Sequence, residues 1–474
     1  MRTAWWARLG WCVASVLLAH GCGGRTPPLP GTVAVGGAQP SASGGSAGNP
    51  GGNAPSGGAP SGVAGSQGGA LATGGAGATA GSGPSGGVPG GTSGAGGSQS
   101  GTAGAGGDSG ASGASGASGA GGEPAVTPEV TAVMAALGYV SCAVFSDRSL
   151  RCWGNGFYGQ LGTGDSRDRP TPTPVAGTLR AVAVTGGLYH TCAALASGAV
   201  DCWGLGEWGS SGVNSNVPVP IPDLDSAIAV AAGAYHTCAL GRDGRVRCWG
   251  GNREGELGAN VGASSARPVL VPTVTDAIAV ASGLYHACAL LSGGTIRCWG
   301  SSHYGCLGNG SVAAGVEGPV DVVSISSAVQ ISAGYYTSCA LLADGTVRCW
   351  GTNNDGVLGA ASVWESGVPV TVAGINDAVA ISTGAHHSCA IVRSGVVQCW
   401  GDNYFGELGD GTKTDSRVPV TVLGVSDAVA VSAGDTHSCA LTRNGVVSCW
   451  GWNYHGSLGD GTVLDRATPV TVGF

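Results

Sequence analysis

The sequence has few charged residues and even fewer basic ones. Charged side chains make up 10% of the 474 residues, and the formal net charge is -8. From Pro128 onward, 17 basic residues stand against 26 acidic ones. A nucleic-acid-binding protein carries a basic patch or stripe, so we expect no nucleic-acid partner.

Catalytic and cofactor-binding motifs are also missing. The sequence contains no nucleophile elbow, phosphate-cradling loop or zinc-protease helix. Glycine is so abundant, with 92 residues, that a chance glycine motif means nothing without a strand-to-helix context. The glycines follow no strict Gly-X-Y period, which excludes collagen. We therefore predict a protein that is not an enzyme and that holds no cofactor and no metal.

The first residues have the pattern of a secretory signal. Arg2 and Arg8 precede an apolar stretch at 9–19, which is shorter than the ~20 residues a membrane-spanning helix needs. The run Leu18-Ala19-His20-Gly21-Cys22 resembles a bacterial lipoprotein box. It predicts a lipoprotein-type signal peptide at 1–21, lipid attachment at Cys22 and an outer-membrane lipoprotein facing outward. Ordinary cleavage and free secretion is the alternative.

Residues 22–127 contain little except Gly, Ser, Ala and Pro. Such a segment cannot bury enough apolar surface to offset the entropy of ordering, so we predict a disordered linker. About 100 flexible residues span roughly 50–60 Å on average. The linker is either a tether that carries a domain away from a membrane or an inert spacer.

The remaining residues, 128–474, repeat one unit seven times with a period of 46 to 51 residues. Each unit contains a Cys-Trp-Gly motif and a second cysteine ten residues earlier. In the last unit an Ala/Val run, two cysteine-containing segments and Pro469-Val-Thr-Val472 each predict a short strand, with turn signals between them. Four strands per unit and seven units predict an all-β fold, a seven-bladed β-propeller.

The unit reads Gly-x-x-His-x-Cys-Ala-Leu, then Asp-Gly-x-Val-x-Cys-Trp-Gly-x-Asn-x-x-Gly-x-Leu-Gly. This pattern resembles the regulator of chromosome condensation repeat over about Val130 to Phe474, and its cysteine pair resembles the bacterial exported branch of that family. The resemblance implies the propeller fold. It does not imply one function, because such repeats serve exchange factors, ligase-associated domains and secreted inhibitors.

The paired cysteines lie symmetrically about a hairpin turn, as Cys238 and Cys248 do about Asp243 next to Gly244. They face each other on neighbouring strands, which favours seven disulfides over buried free thiols in an exported chain. The predicted pairs are Cys142 with Cys152, Cys192 with Cys202, Cys238 with Cys248, Cys288 with Cys298, Cys339 with Cys349, Cys389 with Cys399 and Cys439 with Cys449. Cys306 has no mate and is either buried or open to intermolecular pairing.

Three other patterns are interpreted as structural. Five repeats carry a histidine two positions before the first cysteine, and a hydrogen-bonding role is favoured over a metal site because each lies on its own blade. The tryptophans of the Cys-Trp-Gly motifs are expected to pack between blades, with the ring N–H satisfied locally. The acidic loops 410–415 and 460–465 are interpreted as solvated turns, since they lack the dense oxygen ligands of a calcium loop.

Variable positions in the Asn-x-x-Gly-x-Leu-Gly segments are the best candidates for binding. Equivalent loops should lie on one rim, so these side chains predict an aromatic crown that recognises a protein or stacks on sugars. The alternative is that the second aromatic of each pair packs on the next blade. The candidate binding residues are Phe157, Tyr158, Trp208, His303, Tyr304, Tyr404, Phe405, Trp452, Tyr454 and His455.

The sequence thus favours a surface-anchored, monomeric binding module whose rim recognises another protein. The crown is most similar to that of the secreted β-lactamase inhibitors of this repeat class, which meet their target through rim aromatics. A carbohydrate-binding propeller for cell-surface glycans is the first alternative, and Asn403 and Asn453 beside the aromatics would favour it. A guanine-nucleotide exchange factor is the second, implied by the family's namesake.

Overall fold

The computed structural model describes residues 128–177, 180–206, 212–313, 315–361 and 363–474. The predicted signal peptide, Cys22 and the linker 22–127 lie outside the described residues. Within them, 28 strands form seven four-stranded antiparallel sheets, and each sheet contains four consecutive strands in sequence order. The prediction of a seven-bladed β-propeller is confirmed.

The strand bounds follow the repeat closely. Blade 1 consists of β1 (Val130–Ala135), β2 (Val140–Phe145), β3 (Leu150–Gly154) and β4 (Arg169–Pro174). Blade 2 consists of β5 (Ala181–Gly186), β6 (His190–Leu195), β7 (Val200–Gly204) and β8 (Ser215–Pro220). Blade 3 consists of β9 (Ala227–Ala232), β10 (His236–Gly241), β11 (Val246–Gly251) and β12 (Ser264–Leu270). Blade 4 consists of β13 (Ala277–Ser282), β14 (His286–Leu291), β15 (Ile296–Ser301) and β16 (Val316–Asp321), with a 3-10 turn at His303–Gly305.

The last three blades repeat the same plan. Blade 5 consists of β17 (Ala328–Ala333), β18 (Thr337–Leu342), β19 (Val347–Thr352) and β20 (Glu365–Thr371). Blade 6 consists of β21 (Ala378–Thr383), β22 (His387–Val392), β23 (Val397–Gly401) and β24 (Ser416–Thr421). Blade 7 consists of β25 (Ala428–Ala433), β26 (His437–Thr442), β27 (Val447–Gly451) and β28 (Arg466–Thr471).

The first strand of each blade lies next to the central axis. Each of these strands contacts the first strands of both neighbouring blades, and β1 contacts β25, so the seven form a closed ring. The fourth strands are half exposed at the outer edge and carry proline, which cannot donate to an added strand. No sheet mixes strands from the two ends of the described chain; blade 1 simply packs against blade 7.

The tryptophans join neighbouring blades, as predicted. All seven are 0–1% exposed. In six of them the ring N–H donates to a backbone carbonyl of the preceding blade at 2.7–2.9 Å. For Trp153 that carbonyl belongs to Ser457, so the same contact also closes the ring between blades 1 and 7.

All seven predicted disulfides are present, with Cα–Cα distances of 4.0–4.1 Å. Each joins directly opposed residues of the second and third strands, as in the Cys238–Cys248 pair. Six hairpin turns have the predicted left-handed glycine, with φ of 72° at Gly244 and 82° at Gly445, and Arg148 takes this position in blade 1 with φ of 68°. Cys306 is buried and its thiol donates to the carbonyl of Ser301, so it is not open to intermolecular pairing.

The repeated histidines bridge adjacent blades. In four of them Nε2 lies 2.7–2.8 Å from a serine or threonine hydroxyl of the next blade, as His286 does from Ser338. The Ser338 hydroxyl itself donates to the carbonyl of Cys306. The hydroxyl oxygen therefore accepts from the histidine, which fixes the proton on Nε2.

His236 is the exception, and it provides a test of this bridge. The next blade presents Ala287 where the others present a hydroxyl, and neither ring nitrogen of His236 has a partner within the described residues. An Ala287→Ser hydroxyl would accept from His236 and donate to the Glu256 carbonyl, the acceptor that Trp299 also uses. We expect A287S to raise the free energy of unfolding by about 0.5–1.5 kcal/mol, measured by urea denaturation.

Ala287→Val is the matched control, because it adds volume at the same buried position without a hydroxyl. It should give no gain in stability. Equal stabilisation by serine and valine would show that the site lacks volume rather than a hydrogen-bond partner.

Candidate functional site

The antiparallel meander divides the connections between two faces of the propeller. In each blade the connections between strands one and two and between strands three and four lie at one end. We call this end the aromatic face. The hairpin turns between strands two and three, and the links to the next blade, lie at the other end, the turn face. All ten candidate binding residues belong to third-to-fourth connections, and the structure places the nine it describes on the aromatic face. Trp208 lies outside the described residues.

The first residue of each variable pair points into solvent. Phe157, Tyr404 and Tyr454 are 68–69% exposed. In blade 4 the order is reversed: His303 is half-buried, and Tyr304, with φ of 57°, is exposed. Exposed aromatic rings gathered on one face are the feature that protein hot spots and sugar-stacking platforms share.

The second residue of each pair contacts the next blade. Tyr158 lies 4.8 Å from Tyr189 in an edge-to-face contact, and Tyr304 lies 5.2 Å from Tyr336. The ring centroids of Phe405 and Trp452 lie 5.9 Å apart, with the two rings tilted by 53°. These second residues therefore form an intermediate layer between the exposed aromatics and an inner ring.

The inner ring comes from the short loops between first and second strands. Its members precede the second strands of blades 1 to 6 by one residue, except Tyr335, which precedes by two. They are Tyr139, Tyr189, Tyr235, Tyr285, Tyr335, Tyr336 and His386. Neighbouring rings lie close together, with centroid distances of 6.4 Å for Tyr189–Tyr235 and 5.9 Å for the stacked pair Tyr235–Tyr285.

The sequence analysis missed this inner ring, although a signal was available. A tyrosine or histidine directly before the repeated histidine slot occurs in most units, as in Leu188-Tyr189-His190 and Leu284-Tyr285-His286. A strand that buries both faces should not begin with a large polar aromatic unless that residue lies at its open end. Burial raises the pKa of Tyr235 and Tyr285, so both hydroxyls stay protonated at neutral pH.

Negative charge is concentrated on the aromatic face. The basic residues of its described connections are Arg167, Arg253, Lys413 and His386, whose pKa of about 9 keeps it charged at neutral pH. The acidic residues of the same connections are Asp165, Asp168, Glu254, Glu256, Asp355, Asp402, Glu407, Asp410, Asp415, Asp435, Asp460 and Asp465.

The turn face is nearly balanced. Its described turns and links, with Glu129 before β1, carry the basic residues Arg148, Arg180, Arg242, Arg245, Arg393 and Arg443. Its acidic residues are Glu129, Asp147, Asp223, Asp225, Asp243, Asp276, Asp344, Asp377 and Asp427. The net negative charge of the propeller therefore resides mainly on the aromatic face.

A group of interacting carboxylates lies on the blade 6 and 7 side of the inner ring. Asp435 hydrogen-bonds with the Tyr139 hydroxyl, and burial raises its pKa to about 6 although His386 and Tyr139 act in the opposite direction. Burial and the nearby charge of Asp402 raise the pKa of Glu407 well above its usual value. Glu407 is 1% exposed, and its Oε1 has no partner within the described residues.

A pocket of about 590 Å³ opens on the blade 2 to 4 side of the same ring. Tyr189, Tyr235 and Tyr285 form one wall, and Glu254 and Glu256 contribute carboxylates. Burial and the charge of Glu254 raise the pKa of Glu256 to about 7, although the backbone N–H groups of both residues and Arg253 act in the opposite direction. The volume is in the range of small-ligand sites.

The amides expected to help bind sugars are not available. Asn403 and Asn453 are 0% exposed, which corrects the role suggested for them. Each side chain closes its own loop: the Asn403 Nδ2 donates to oxygens of Asp410, Thr412 and Thr414, and its Oδ1 accepts from the Leu408 N–H. Hydrogen bonds within a loop compete with those to a ligand, and here they use both ends of the amide.

The acidic loops behave in the same way. Asp410 accepts from the Thr412 N–H, and Asp460 pairs with Arg466 at 3.1 Å. Across the described part of the chain, no group of three His, Cys, Asp or Glu residues could hold a metal ion. In the same residues, no helix combines the length and the apolar character that a membrane span requires.

Six of the described histidines should titrate in two separate classes. Burial lowers the pKa of His190, His236 and His387 to about 3 and that of His286 and His437 to about 4. Burial also acts to lower the pKa of His386. However, its 2.8 Å hydrogen bond to Asp355 and the charge of Asp435 together raise that pKa to about 9. In NMR of ¹³C-labelled histidine, we expect the signals of the five buried repeat histidines to stay unchanged from pH 8 to 5. The signal of His386 should titrate near pH 9.

The sign of the His386 effect on stability follows from its raised pKa. The folded state binds this proton more tightly than the unfolded state, so the stabilisation is complete below pH 6.5 and is lost as the pH rises through about 9. D355N should lower the midpoint of the His386 signal, and D147N on the turn face should leave it unchanged. An unshifted midpoint in D355N would contradict the assignment.

Comparison with known proteins gives one consistent picture of the fold. Residues 216–473 match the model of the RCC1-like domain, and residues 151–194 match that of the regulator of chromosome condensation (RCC1) repeat. No curated protein gives a significant match.

Solved structures of the same fold are similar to this chain at low sequence identity. Yeast RCC1 (Prp20), in its crystal structure with Kap60, is 23% identical with a TM-score of 0.62, over 68% of this chain and 83% of that one. Human WBSCR16 is 21% identical with a TM-score of 0.62, over 69% and 94%. Prp20p from Saccharomyces cerevisiae is 22% identical with a TM-score of 0.61, over 74% and 87%. At these identities the likeness shows the fold alone.

Proposed function

Because this chain belongs to the RCC1-like domain family, we propose that it is a non-enzymatic binding module whose aromatic face recognises another protein. The observation that carries the proposal is the concentration of exposed aromatic rings on one face, above an inner ring of tyrosines. Large, rigid aromatic side chains supply binding energy at low entropic cost. The proteins of similar fold support it, since yeast RCC1 was solved bound to Kap60, and Prp20p was studied for binding to Gsp1p and histones.

The location of the face also favours recognition of an outside partner. Pro128 and Glu129 precede β1 on the turn face, at the end of the propeller opposite the aromatic face. The seven disulfides indicate an oxidising environment. We propose that Cys22 is lipidated and that the chain is an outer-membrane lipoprotein. Globomycin should cause a precursor to accumulate, and an unchanged pattern would exclude lipidation.

The two alternatives have less support. Asn403 and Asn453, the amides that would have served a glycan site, are occupied within their loops. A guanine-nucleotide exchange factor acts on an intracellular GTPase, and seven disulfides are not expected in that compartment. Protein recognition therefore remains the better proposal.

The test uses the full chain with an affinity tag after Phe474, immobilised and exposed to envelope and culture extracts. The variant Phe157→Ala/Tyr404→Ala/Tyr454→Ala removes three exposed rings that fill no core position. The control Ile278→Ala/Val329→Ala/Val429→Ala removes exposed apolar side chains from the first strands. We expect the parent and the control to retain a protein that the aromatic variant loses, with at least a tenfold weaker Kd when it is purified. Retention by all three forms, or by none, would contradict the proposal and favour the carbohydrate-binding alternative.

A further inference from the structure

We propose that the partner is recognised through cationic side chains: a lysine- or arginine-bearing segment crosses the aromatic face, with one cation in the pocket beside Tyr235, Tyr285 and Glu254. This inference rests on the proposed function and names the chemistry of its partner. The acidic excess of the propeller lies on the aromatic face, while the turn face is nearly balanced. A surface with one sign of charge steers and orients a partner of the opposite sign.

Internal pairs use only part of this charge. Asp165 pairs with Arg169 at 2.7 Å, Asp460 with Arg466 at 3.1 Å and Asp465 with Lys413 at 4.0 Å. Asp355 and Asp168 hydrogen-bond with His386 and His455 at 2.8 and 2.7 Å. Glu254, Asp402 and Glu407 have no salt-bridge partner in the part of the chain that the structure describes. Glu254 and Asp402 are partly exposed beside the inner ring, where an arriving segment meets them first, whereas Glu407 is buried.

The pocket has the composition of a cation site. Three tyrosines line it, and the faces of aromatic rings attract ammonium and guanidinium groups within about 6 Å. Glu254 supplies a partly exposed carboxylate, and the buried Glu256, with a pKa of about 7, and Arg253 lie beside it. Both carboxylates are held in one loop, since the Glu254 N–H donates to Glu256 at 2.9 Å. A volume of about 590 Å³ admits a whole lysine or arginine side chain.

The second acidic group explains why the occupant is a segment and not a small cation. Asp402, Glu407 and Asp435 lie in blades 6 and 7, whereas the pocket lies in blades 2 to 4 on the other side of the axis. The Oε1 of Glu407 is buried, lacks a partner and lies in this group. One ligand that contacts both regions must cross the central axis on the aromatic face, as an extended polypeptide with cations several residues apart can do. The exposed rings would pack against its apolar atoms.

A defined probe tests the inference on the full chain. The probe is a 16-residue Gly/Ser peptide with four lysines, and its counterpart has four glutamates in their place. Calorimetry at 20 mM and 300 mM NaCl compares three proteins: the parent, Glu254→Gln/Asp402→Asn on the aromatic face, and Asp147→Asn/Asp344→Asn on the turn face. Both variants remove two negative charges from positions outside the core.

We expect the lysine peptide to bind the parent, with an affinity that falls as salt rises. Its Kd should be at least tenfold weaker for Glu254→Gln/Asp402→Asn. Binding to the turn-face variant should equal that of the parent, and the glutamate peptide should not bind. Tyr235→Leu should also weaken the lysine peptide, because it removes a ring face from the pocket. Failure of the lysine peptide to bind, or equal loss in both charge variants, overturns the inference.

Failure of this inference can be separated from failure of the proposed function. A captured partner that is lost from the aromatic variant but keeps its Kd with Glu254→Gln/Asp402→Asn would leave the aromatic face as a protein-binding site and refute cationic recognition. A partner that keeps its Kd with the aromatic variant would refute the proposed function itself. Each of the two variant sets therefore tests one statement.

Discussion

The propeller with all seven disulfides reduced is expected to be unfolded at neutral pH without denaturant, whereas the oxidised chain refolds. Each disulfide closes a loop with a sequence separation of 10 residues. A crosslink over such a loop lowers the entropy of the unfolded chain by an amount worth about 2.7 kcal/mol. Seven of them reach at most about 19 kcal/mol, which exceeds the net stability of about 5–15 kcal/mol that is typical of folded domains.

This figure is an upper bound, because the strand ladder already restrains each pair. Cys238 and Cys248 are directly opposed in a ladder that runs from the pair His236–Gly250 to the pair Leu240–Val246. The stabilisation that remains is still needed, because the first strands that form the ring are built largely from the small residues alanine, valine and serine. Such residues bury little apolar area per strand.

The measurement is refolding by dilution from 8 M urea, with and without dithiothreitol, followed by circular dichroism. Refolding from denaturant is needed because the bridged cysteines are 0–2% exposed and a reductant cannot reach them in the native state. The paired variant Cys389→Ala/Cys399→Ala, in oxidising buffer, should lose at most about 2.7 kcal/mol of the free energy of unfolding. Native spectra in both refolding buffers would show that the sheets alone hold the fold.

The features that the sequence predicted are those encoded within one repeat. The Cys238–Cys248 pairing needs only a hairpin turn of known type, and Gly244 supplies the left-handed residue that such a turn requires. Local spacing therefore settled the strands, the turns and the disulfides. Seven repetitions of the same spacing then settled the blade number.

The features that it missed depend on contacts between repeats. Tyr189 follows Tyr158 by 31 positions, and only the packing of blade 2 against blade 1 brings the two rings to 4.8 Å. Tyr139 and Asp435 meet because blade 7 packs against blade 1. The inner ring and its carboxylates therefore follow from the closed ring rather than from the pattern of one unit.

Asn403 shows a limit of another kind. From its position beside Tyr404 the amide looks available to a ligand, yet its hydrogen bonds run to residues 5 to 11 positions ahead in the same loop. An exposed asparagine and a loop-closing one have the same immediate neighbours in sequence. The difference arises when the loop folds back on itself, and the sequence carried a signal for it, because asparagines in the same slot, Asn252, Asn353 and Asn453, make the same loop-closing bonds.

Trp400→Ala is expected to lower the free energy of unfolding by about 3–5 kcal/mol. Trp400 is 1% exposed, and its ring N–H donates to the Val357 carbonyl of the preceding blade at 2.8 Å. Gly359 lies so close over the ring that a Cβ there would come within 3.0 Å of Nε1. Truncation would therefore leave a cavity between two blades that closely packed backbone cannot fill by collapse.

Two further variants distinguish this packing from a general effect of losing tryptophan. Trp364→Ala removes a side chain that is 69% exposed and touches the Arg417 guanidinium, so urea denaturation should show a loss of at most about 0.5 kcal/mol. Trp400→Phe keeps most of the buried area but removes one of the two donors to the Val357 carbonyl, the other being the Ser388 hydroxyl, so its loss should lie between those of the two alanine variants. A Trp400→Ala loss no larger than that of Trp364→Ala would mean that blades are held by their neighbouring first strands alone. A large loss would mean that the tryptophans between blades make the closed ring unfold as one unit.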